Sequence, residues 1–331
     1  MIVSANNKLA LAALKNAPLI LFAIVLVVFA GLSPKFIEPR NLLNILVQSS
    51  SIAIVAAGMT FVLLSAGIDL SVGSIMFVAA VVAGKIMLAG QSLSLAFAAI
   101  LFIGLLYGAV NAFFITRLKV IAFIVTLATL YVGRGFGLLL SETRAMNLPE
   151  ELLQVGAARV FGIPMPVLMF GAVFLAGHIT LTMTAFGRQL YAVGNDATAA
   201  RKAGINVARV LLIVYLISGF CAALGGLISV AQLGAVSPTF GNQREFAAIA
   251  AAVIGGTSLF GGRGQLIPGT MLGAILIQTI ENGLVIVNAD PYLYPLIMGA
   301  IIFLAVLIDS FRHAQLLKLG RSRIRVEEVS V

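Results

Sequence analysis

Apolar residues fall into ten long runs, separated by short polar connections, along a chain of 331 residues. A helix needs about 20 consecutive apolar residues to cross the hydrocarbon core of a bilayer. The pattern predicts ten membrane-spanning helices, at 17–33, 42–64, 74–89, 93–115, 120–140, 164–184, 210–231, 246–261, 266–287 and 293–310. The expected fold is all-α and polytopic. It forms one membrane domain over 1–331, with a short segment at 1–16, a helix bundle at 17–310 and a basic tail at 311–331.

Composition supports a membrane protein rather than a soluble one. Hydrophobic residues make up 61% of the chain and charged residues only 10%, whereas an average soluble domain is about 45–50% apolar. The connections between the runs are too short to form a folded domain outside the membrane. Most classes of soluble enzyme are therefore excluded.

Basic residues lie mainly at the ends of the apolar runs. If the amino terminus is cytoplasmic, the inside segments hold fourteen Lys and Arg, and the outside segments hold five: Lys35, Arg40, Arg144, Arg159 and Arg244. The positive-inside rule then places both termini in the cytoplasm. The net charge of +9 is accordingly interpreted as a topology signal, and no nucleic-acid partner is expected. The outside segment 141–163 mixes acidic and basic residues, which suits either a solvated loop or contact with a soluble partner.

The segment from Gly67 to Ser74 interrupts an apolar stretch with two glycines and a carboxylate. Backbone that leaves helical geometry at membrane depth must be covered by protein or line a watery cavity. The interruption is therefore a candidate gate or translocation path, with Asp69 and Ser71 as its polar side chains. The alternative is that Asp69 or Ser71 caps the next helix.

A second interruption, Gly255 to Gly264, is rich in glycine and is also a candidate mobile element. It superficially resembles a phosphate loop, but no Gly-Lys-Ser/Thr sequence ends it. No nucleotide-binding motif is present, so any ATP hydrolysis is expected from another chain.

Polar residues inside the predicted spans form a possible path for a solute. Gln278, Glu281 and Asn282 are spaced i, i+3 and i+4 on one helix face, and Asn111 with Arg134 is placed to join them from neighbouring helices. These side chains suit hydrogen bonding to a hydroxyl-rich solute. They are equally suited to holding helices together.

The inside segment 185–208 predicts a short helix outside the membrane. Asn195 and Asp196 are suited to capping it, Ala197 to Ala203 are good helix formers, and Gly204 suits the left-handed position after a helix. So short a helix is unstable alone in water, which indicates that a partner packs against it. An ordinary surface turn is the alternative.

Three stretches resemble the permease subunits of bacterial ATP-binding-cassette (ABC) sugar importers of the ribose type. They are GMTFVLLSAGIDLSVGS (58–74), GRQLYAVGNDATAARKAGINVARV (187–210) and AAIAAAVIGGTSLFGGRGQLIPGT (247–270). The similarity extends from about Leu32 to Asp309. Relatives carry a Tyr-Glu-Leu-Asp-like segment before the alanine-rich run, of which this chain keeps Glu245 and lacks the second acid.

The resemblance implies a multi-pass protein of the bacterial inner membrane that works as a dimer with an identical or paralogous copy, among membrane lipids. Two cytoplasmic ATPase domains would bind ATP and Mg²⁺, this chain would hold no cofactor or metal, and a periplasmic protein would deliver a monosaccharide. The short inside helix would dock into the ATPase through Asn195, Ala199, Ala200, Arg201, Gly204 and Ile205. Residues assigned to the solute path or gate are Asp69, Ser71, Asn111, Arg134, Glu245, Gln278, Glu281 and Asn282.

The sequence favours this importer subunit over two rivals. An ion-coupled secondary transporter would use Glu281 and Asp69 as ion sites, but it gives no reason for the capped inside helix. A membrane-embedded enzyme would need a catalytic cluster, whereas the chain has two histidines and one cysteine, without metal-ligand or nucleophile spacing. The chain is therefore expected to be a transport subunit and not an enzyme.

Overall fold

The computed structural model describes residues 17–304, 306–307 and 309–310. The segment 1–16 and the basic tail 311–331 lie outside the described residues. The helices are α1 Ala17–Leu32, α2 Pro39–Leu64, α3 Val72–Leu88, α4 Leu93–Thr116, α5 Ala122–Ser141, α6 Glu150–Ala157, α7 Met165–Met183, α8 Ala185–Asn195, α9 Ala197–Lys202, α10 Val207–Leu233, α11 Arg244–Ile254, α12 Met271–Ile286 and α13 Leu293–Leu304. Four two-residue strands are β1 Met146–Asn147, β2 Arg159–Val160, β3 Ile163–Pro164 and β4 Ala235–Val236.

The prediction of an all-α polytopic membrane protein is confirmed. Within the described residues, six helical segments are long and apolar enough to cross a membrane: α2, α4, α5, α7, α10 and Leu266–Ile286, which contains α12. Three shorter apolar helices, Leu19–Leu32, Val72–Leu88 and Leu293–Leu304, match predicted runs. The total of ten spans stays a prediction.

The predicted span at 246–261 is wrong in its extent. Helix α11 ends at Ile254, after 11 residues. Gly255 follows it as the cap, and Gly256 has φ +91°, a left-handed conformation that glycine adopts without steric cost. The glycines therefore end the helix part-way and lead into an irregular segment.

Helices α2 and α10 form the buried centre of the bundle, whereas α4, α5 and α7 lie at its periphery. Glycines allow the closest crossing. A Cβ on Gly219 of α10 would overlap the carbonyl oxygen of Gly104 of α4, so the backbones touch there, as small residues permit in membrane helices. The exposed leucines, isoleucines and phenylalanines of the peripheral helices suit contact with lipid.

The connecting segments gather at two opposite ends of the bundle. At one end β1 pairs with β4, and the Leu148 N–H donates to the Gly234 carbonyl at 2.8 Å. The segment 141–163 is thus folded against the bundle, with α6 burying Leu152 and strand β2 pairing with β3. At the other end, the Gly262 N–H donates to the Leu64 carbonyl at 2.9 Å. This grouping agrees with the predicted sides of these segments, although which end faces the cytoplasm stays a prediction.

Candidate functional site

The interruption between α2 and α3, residues 65–71, is centred on a fully buried carboxylate. Asp69 Oδ1 accepts from the Ser71 N–H at 2.9 Å and from the Ser71 hydroxyl at 2.5 Å. Its Oδ2 accepts from the Ser218 hydroxyl of α10 at 2.7 Å. Helix α3 begins at Val72, and Ser71 before it makes no side-chain capping bond. The Asp69 carboxylate instead accepts from the N–H of Ser71, one residue before the helix.

The hydrogen-bond network of Asp69 continues into two more helices. Asn111 of α4 donates to the Ser71 hydroxyl at 2.9 Å, and its Oδ1 accepts from the Thr129 hydroxyl of α5 at 2.9 Å. The structure therefore brings together three predicted path residues, Asp69, Ser71 and Asn111. Fully satisfied buried networks of this kind rigidify their surroundings. The contacts favour a fixed anchor over a mobile gate.

Three further residues lie in this region and were not predicted from the sequence: Thr129, Ser218 and Tyr215. The Tyr215 hydroxyl is buried beside Gly67 and has no hydrogen-bond partner among the described residues. Each of these residues contributes a single hydroxyl to an apolar run, and the sequence does not show which distant residues it will lie beside. Their proximity to the interruption is visible only in the folded chain.

Arg134 and Glu245 meet at the start of α3, toward the end of the bundle that holds β1 and β4. Arg134 Nη1 donates to the Phe240 carbonyl at 2.5 Å, and the guanidinium lies 5.2 Å from the ring centroid of Phe77. A Cβ on Gly73 would overlap Glu245 Oε2 and lie 3.4 Å from Arg134 Nη2. Both of these atoms are buried without a hydrogen-bond partner among the described residues. The opposite charges attract each other across Gly73.

The polar face predicted on residues 278–282 is directed at neighbouring helices. Gln278 Nε2 donates to Gln48 Oε1 at 3.3 Å. Asn282 and Asn41 exchange two hydrogen bonds, at 2.9 and 3.1 Å. The Tyr294 hydroxyl lies 3.5 Å from Glu281 Oε2. These pairs join α12 to α2 and α13, so helix association is one role of the face; contact with a solute stays a prediction.

The short inside helix predicted after residue 195 is present as α9. Asp196 Oδ1 accepts from the N–H groups of Thr198 and Ala199, at 2.8 and 3.0 Å, and Gly204 has φ +84°. Asn195 instead ends α8, and its Nδ2 donates to the Tyr191 carbonyl at 2.8 Å.

The residues assigned to ATPase docking divide into two groups by exposure. Asn195, Ala199, Arg201 and Gly204 are exposed. Ala200 is buried and Ile205 half-buried, because both face the bundle. The exposed group is accessible from outside the bundle, while the other two residues pack α9 against it. Docking of this group to an ATPase stays a prediction.

Residues 41–306 match the protein family described as "Branched-chain amino acid transport system / permease component". The chain belongs to this family. It is 38% identical to the ribose import permease protein RbsC of Escherichia coli (strain K12) over 302 residues, which cover 90% of this chain and 94% of the relative. It is 38% identical to the D-allose transport system permease protein AlsC of the same strain, over 89% of this chain and 91% of the relative.

A third relative extends the range of named solutes. The fructose import permease protein FrcC of Rhizobium meliloti is 35% identical over 89% of this chain and 84% of the relative. No solved structure gives a significant match. The resemblance to ribose-type importer permeases is confirmed, and the chain is the membrane subunit of an ABC importer and not an enzyme. Importers of this class work in general with an ATPase and a solute-binding protein.

Proposed function

We propose that this permease carries a monosaccharide, or a closely related polyhydroxylated solute, inward across the bacterial inner membrane by alternating access. Separate ATPase subunits that bind ATP and Mg²⁺ supply the energy, and a periplasmic binding protein delivers the solute. The relatives named for ribose, allose and fructose support this class of solute. The family description names amino acids instead, so the named relatives, and not the family match, support a sugar over an amino acid.

A row of amides on α2 carries the proposal. Asn44 and Gln48 are exposed although they lie on an apolar spanning helix, and Gln48 contacts Gln278 of α12. Polar side chains that face lipid are costly, so such residues tend to face a water-filled cavity or another helix. The row therefore supports a path on this side of the bundle, completed by a second permease copy. Amides suit a sugar because they both donate to and accept from hydroxyl groups.

Basic residues at the end of the bundle that holds α9 support an ATPase as the partner at that end. The end of the bundle that holds α9 exposes Arg117, Lys119, Arg188, Arg201, Lys202, Arg209 and Arg263. A six-residue helix that is held by one cap needs a neighbour to stabilise it further. We assign this end to the cytoplasm and the exposed face of α9 to the ATPase.

Transport by the purified complex tests the proposal. The permease is reconstituted in proteoliposomes with its genomically neighbouring ATPase and binding protein, and uptake of labelled ribose, allose, fructose, xylose and leucine is measured with and without ATP. We expect ATP-dependent uptake of at least one sugar and none of leucine. Uptake driven by an ion gradient without ATP would establish a secondary transporter, and uptake of leucine alone would refute the sugar assignment.

A further inference from the structure

The glycine-rich loop, residues 255–264, lies between α8, which leads into α9, and the helices α2 and α12. Its Gly262 N–H donates to the Leu64 carbonyl at the end of α2, at 2.9 Å. A Cβ on Gly194 of α8 would overlap that same Leu64 oxygen and lie 2.6 Å from the Gly262 nitrogen. The backbones of α8, α2 and the loop are therefore in direct contact, with no side chain between them to absorb a displacement.

A side chain of α8 adds a second link to the loop. The Tyr191 hydroxyl donates to the Gly264 carbonyl at 2.8 Å. Burial raises the pKa of Tyr191, so the phenol stays protonated and remains a donor. Since α8 is followed directly by Asp196 and α9, a force on α9 reaches the loop through one short rigid helix.

The far side of the loop connects to α12. A Cβ on Gly255 would lie 2.5 Å from the backbone of Gly269, in the turn that precedes α12. The hydroxyls of Thr60 in α2 and Thr270 are hydrogen-bonded at 2.7 Å. Both helices that carry the amide pair Gln48 and Gln278 are thus tied to the loop at their ends nearest α8.

Asp309, near the end of the described chain, holds the loop in shape. Its Oδ2 accepts from the Leu259 N–H at 3.0 Å and from the Ser258 hydroxyl at 3.2 Å, and the residue is only 9% exposed. Ser258 in turn donates its N–H to the Arg263 carbonyl at 2.9 Å, which closes the loop. A loop with five glycines among ten residues is expected to be deformable unless side chains fix it.

We propose that the glycine-rich loop transmits the motion of α8 and α9 to α2 and α12, and that Asp309 is the positioning residue that keeps the loop stiff enough to do so. This inference rests on the proposed function, since it requires an ATPase that drives α9. Asp309 contacts neither solute nor nucleotide in this scheme. When Asp309 is replaced, ATP hydrolysis is expected to continue, but less solute is transported for each ATP hydrolysed.

The test compares Asp309→Ala, Asp309→Asn and Tyr191→Phe with wild type in the reconstituted importer. Asp290→Ala is the matched control, because Asp290 also accepts a backbone N–H, from Tyr292, but is exposed and remote from the loop. The solute transported per ATP hydrolysed is measured together with basal hydrolysis. We expect Asp309→Ala to lower that ratio about fivefold or more, the lower range of coupling effects between sites, with basal hydrolysis nearly unchanged.

The milder variants keep the inference falsifiable if Asp309→Ala does not fold. Tyr191→Phe removes one hydroxyl and is expected to lower the transport-to-hydrolysis ratio by a smaller factor than Asp309→Ala. Asp309→Asn keeps an acceptor oxygen, so its ratio is expected to lie close to that of wild type. An unchanged ratio in both Asp309→Ala and Tyr191→Phe, or losses that only follow the amount of folded protein, would overturn the inference alone. Absence of ATP-dependent transport in wild type would overturn the proposed function and the inference with it.

Discussion

Asp69 shows how one buried side chain organises its surroundings. Its two oxygens accept three hydrogen bonds from Ser71 and Ser218, and Ser71 in turn accepts from Asn111. Both oxygens of Asp69 act as acceptors in these contacts, so the Ser71 and Ser218 hydroxyls are each oriented with the proton toward the carboxyl group. Its role in the structure is therefore to fix the directions of these hydrogen bonds.

Replacing Asp69 by Ala is expected to destabilise the fold. The change leaves the donors of Ser71 and Ser218 buried without their acceptor, and each such group costs about 1–3 kcal/mol. The thermal midpoint in detergent is expected to fall by several degrees or more. Cys221 is the chain's only cysteine and is buried, so a thiol-reactive fluorescent dye reports unfolding directly. Asp290→Ala is the control, and an Asp69→Ala midpoint equal to that of wild type would refute the anchor role.

Helix α9 is expected to depend on its N-cap more than the long helix α10 does. It has six residues, and Asp196 satisfies two of its first N–H groups. By comparison, α10 has 27 residues and Asn206 satisfies one of its N–H groups, that of Arg209. The longer helix is held by packing along most of its length, whereas the short one lies largely exposed.

Asp196→Ala is therefore expected to weaken ATPase binding, while Asn206→Ala is expected to leave it nearly unchanged. Loss of an N-cap costs about 0.5–2 kcal/mol, enough to unfold a helix that is marginal without a partner. Affinity purification of the tagged permease, with the recovered ATPase quantified against permease, measures the difference. Equal recovery from the two variants would show that α9 does not carry the docking surface.

Most of these elements were predictable because hydrophobic runs and capping residues are local signals. The runs at 17–33, 93–115 and 164–184 agree closely with α1, α4 and α7, and α9 with Gly204 matches its predicted pattern. The early end of α11 was missed, since alanines continue a helical pattern up to the glycines. Partners such as Ser218 and Asp309 were missed because a hydrogen bond over 149 or 51 residues leaves no periodic mark.

For the whole molecule, the two ends of the bundle differ in chemistry. One end carries the hairpin of β2 and β3, with Phe161 fully exposed at its tip, and the other carries α9 with Arg201 exposed. The positive-inside rule predicts that the basic end faces the cytoplasm. In that orientation the ATPase and the solute-binding protein would meet opposite ends of the bundle.

Cysteine labelling tests the orientation. Phe161→Cys and Arg201→Cys are made in a Cys221→Ala background, and intact spheroplasts are treated with a membrane-impermeant thiol reagent. We expect labelling of Phe161→Cys alone, and of both sites after the membrane is opened. Cys221→Ala alone is the control for background labelling, and the replacement of Cys221 removes the chain's own thiol, which is 4% exposed. Labelling of Arg201→Cys in intact spheroplasts would reverse the topology.

The amide pairs between α2 and α12 bear on how the protein is made. Asn41 and Gln48 are synthesised 241 and 230 residues before their partners Asn282 and Gln278. At about 5–20 residues per second, α2 waits roughly 10–50 s in the bilayer before α12 emerges. During that interval the amides of α2 need other polar neighbours, from the insertion machinery or from helices made earlier. Insertion of the protein therefore includes a stage at which α2 is in the membrane without its final hydrogen-bond partners.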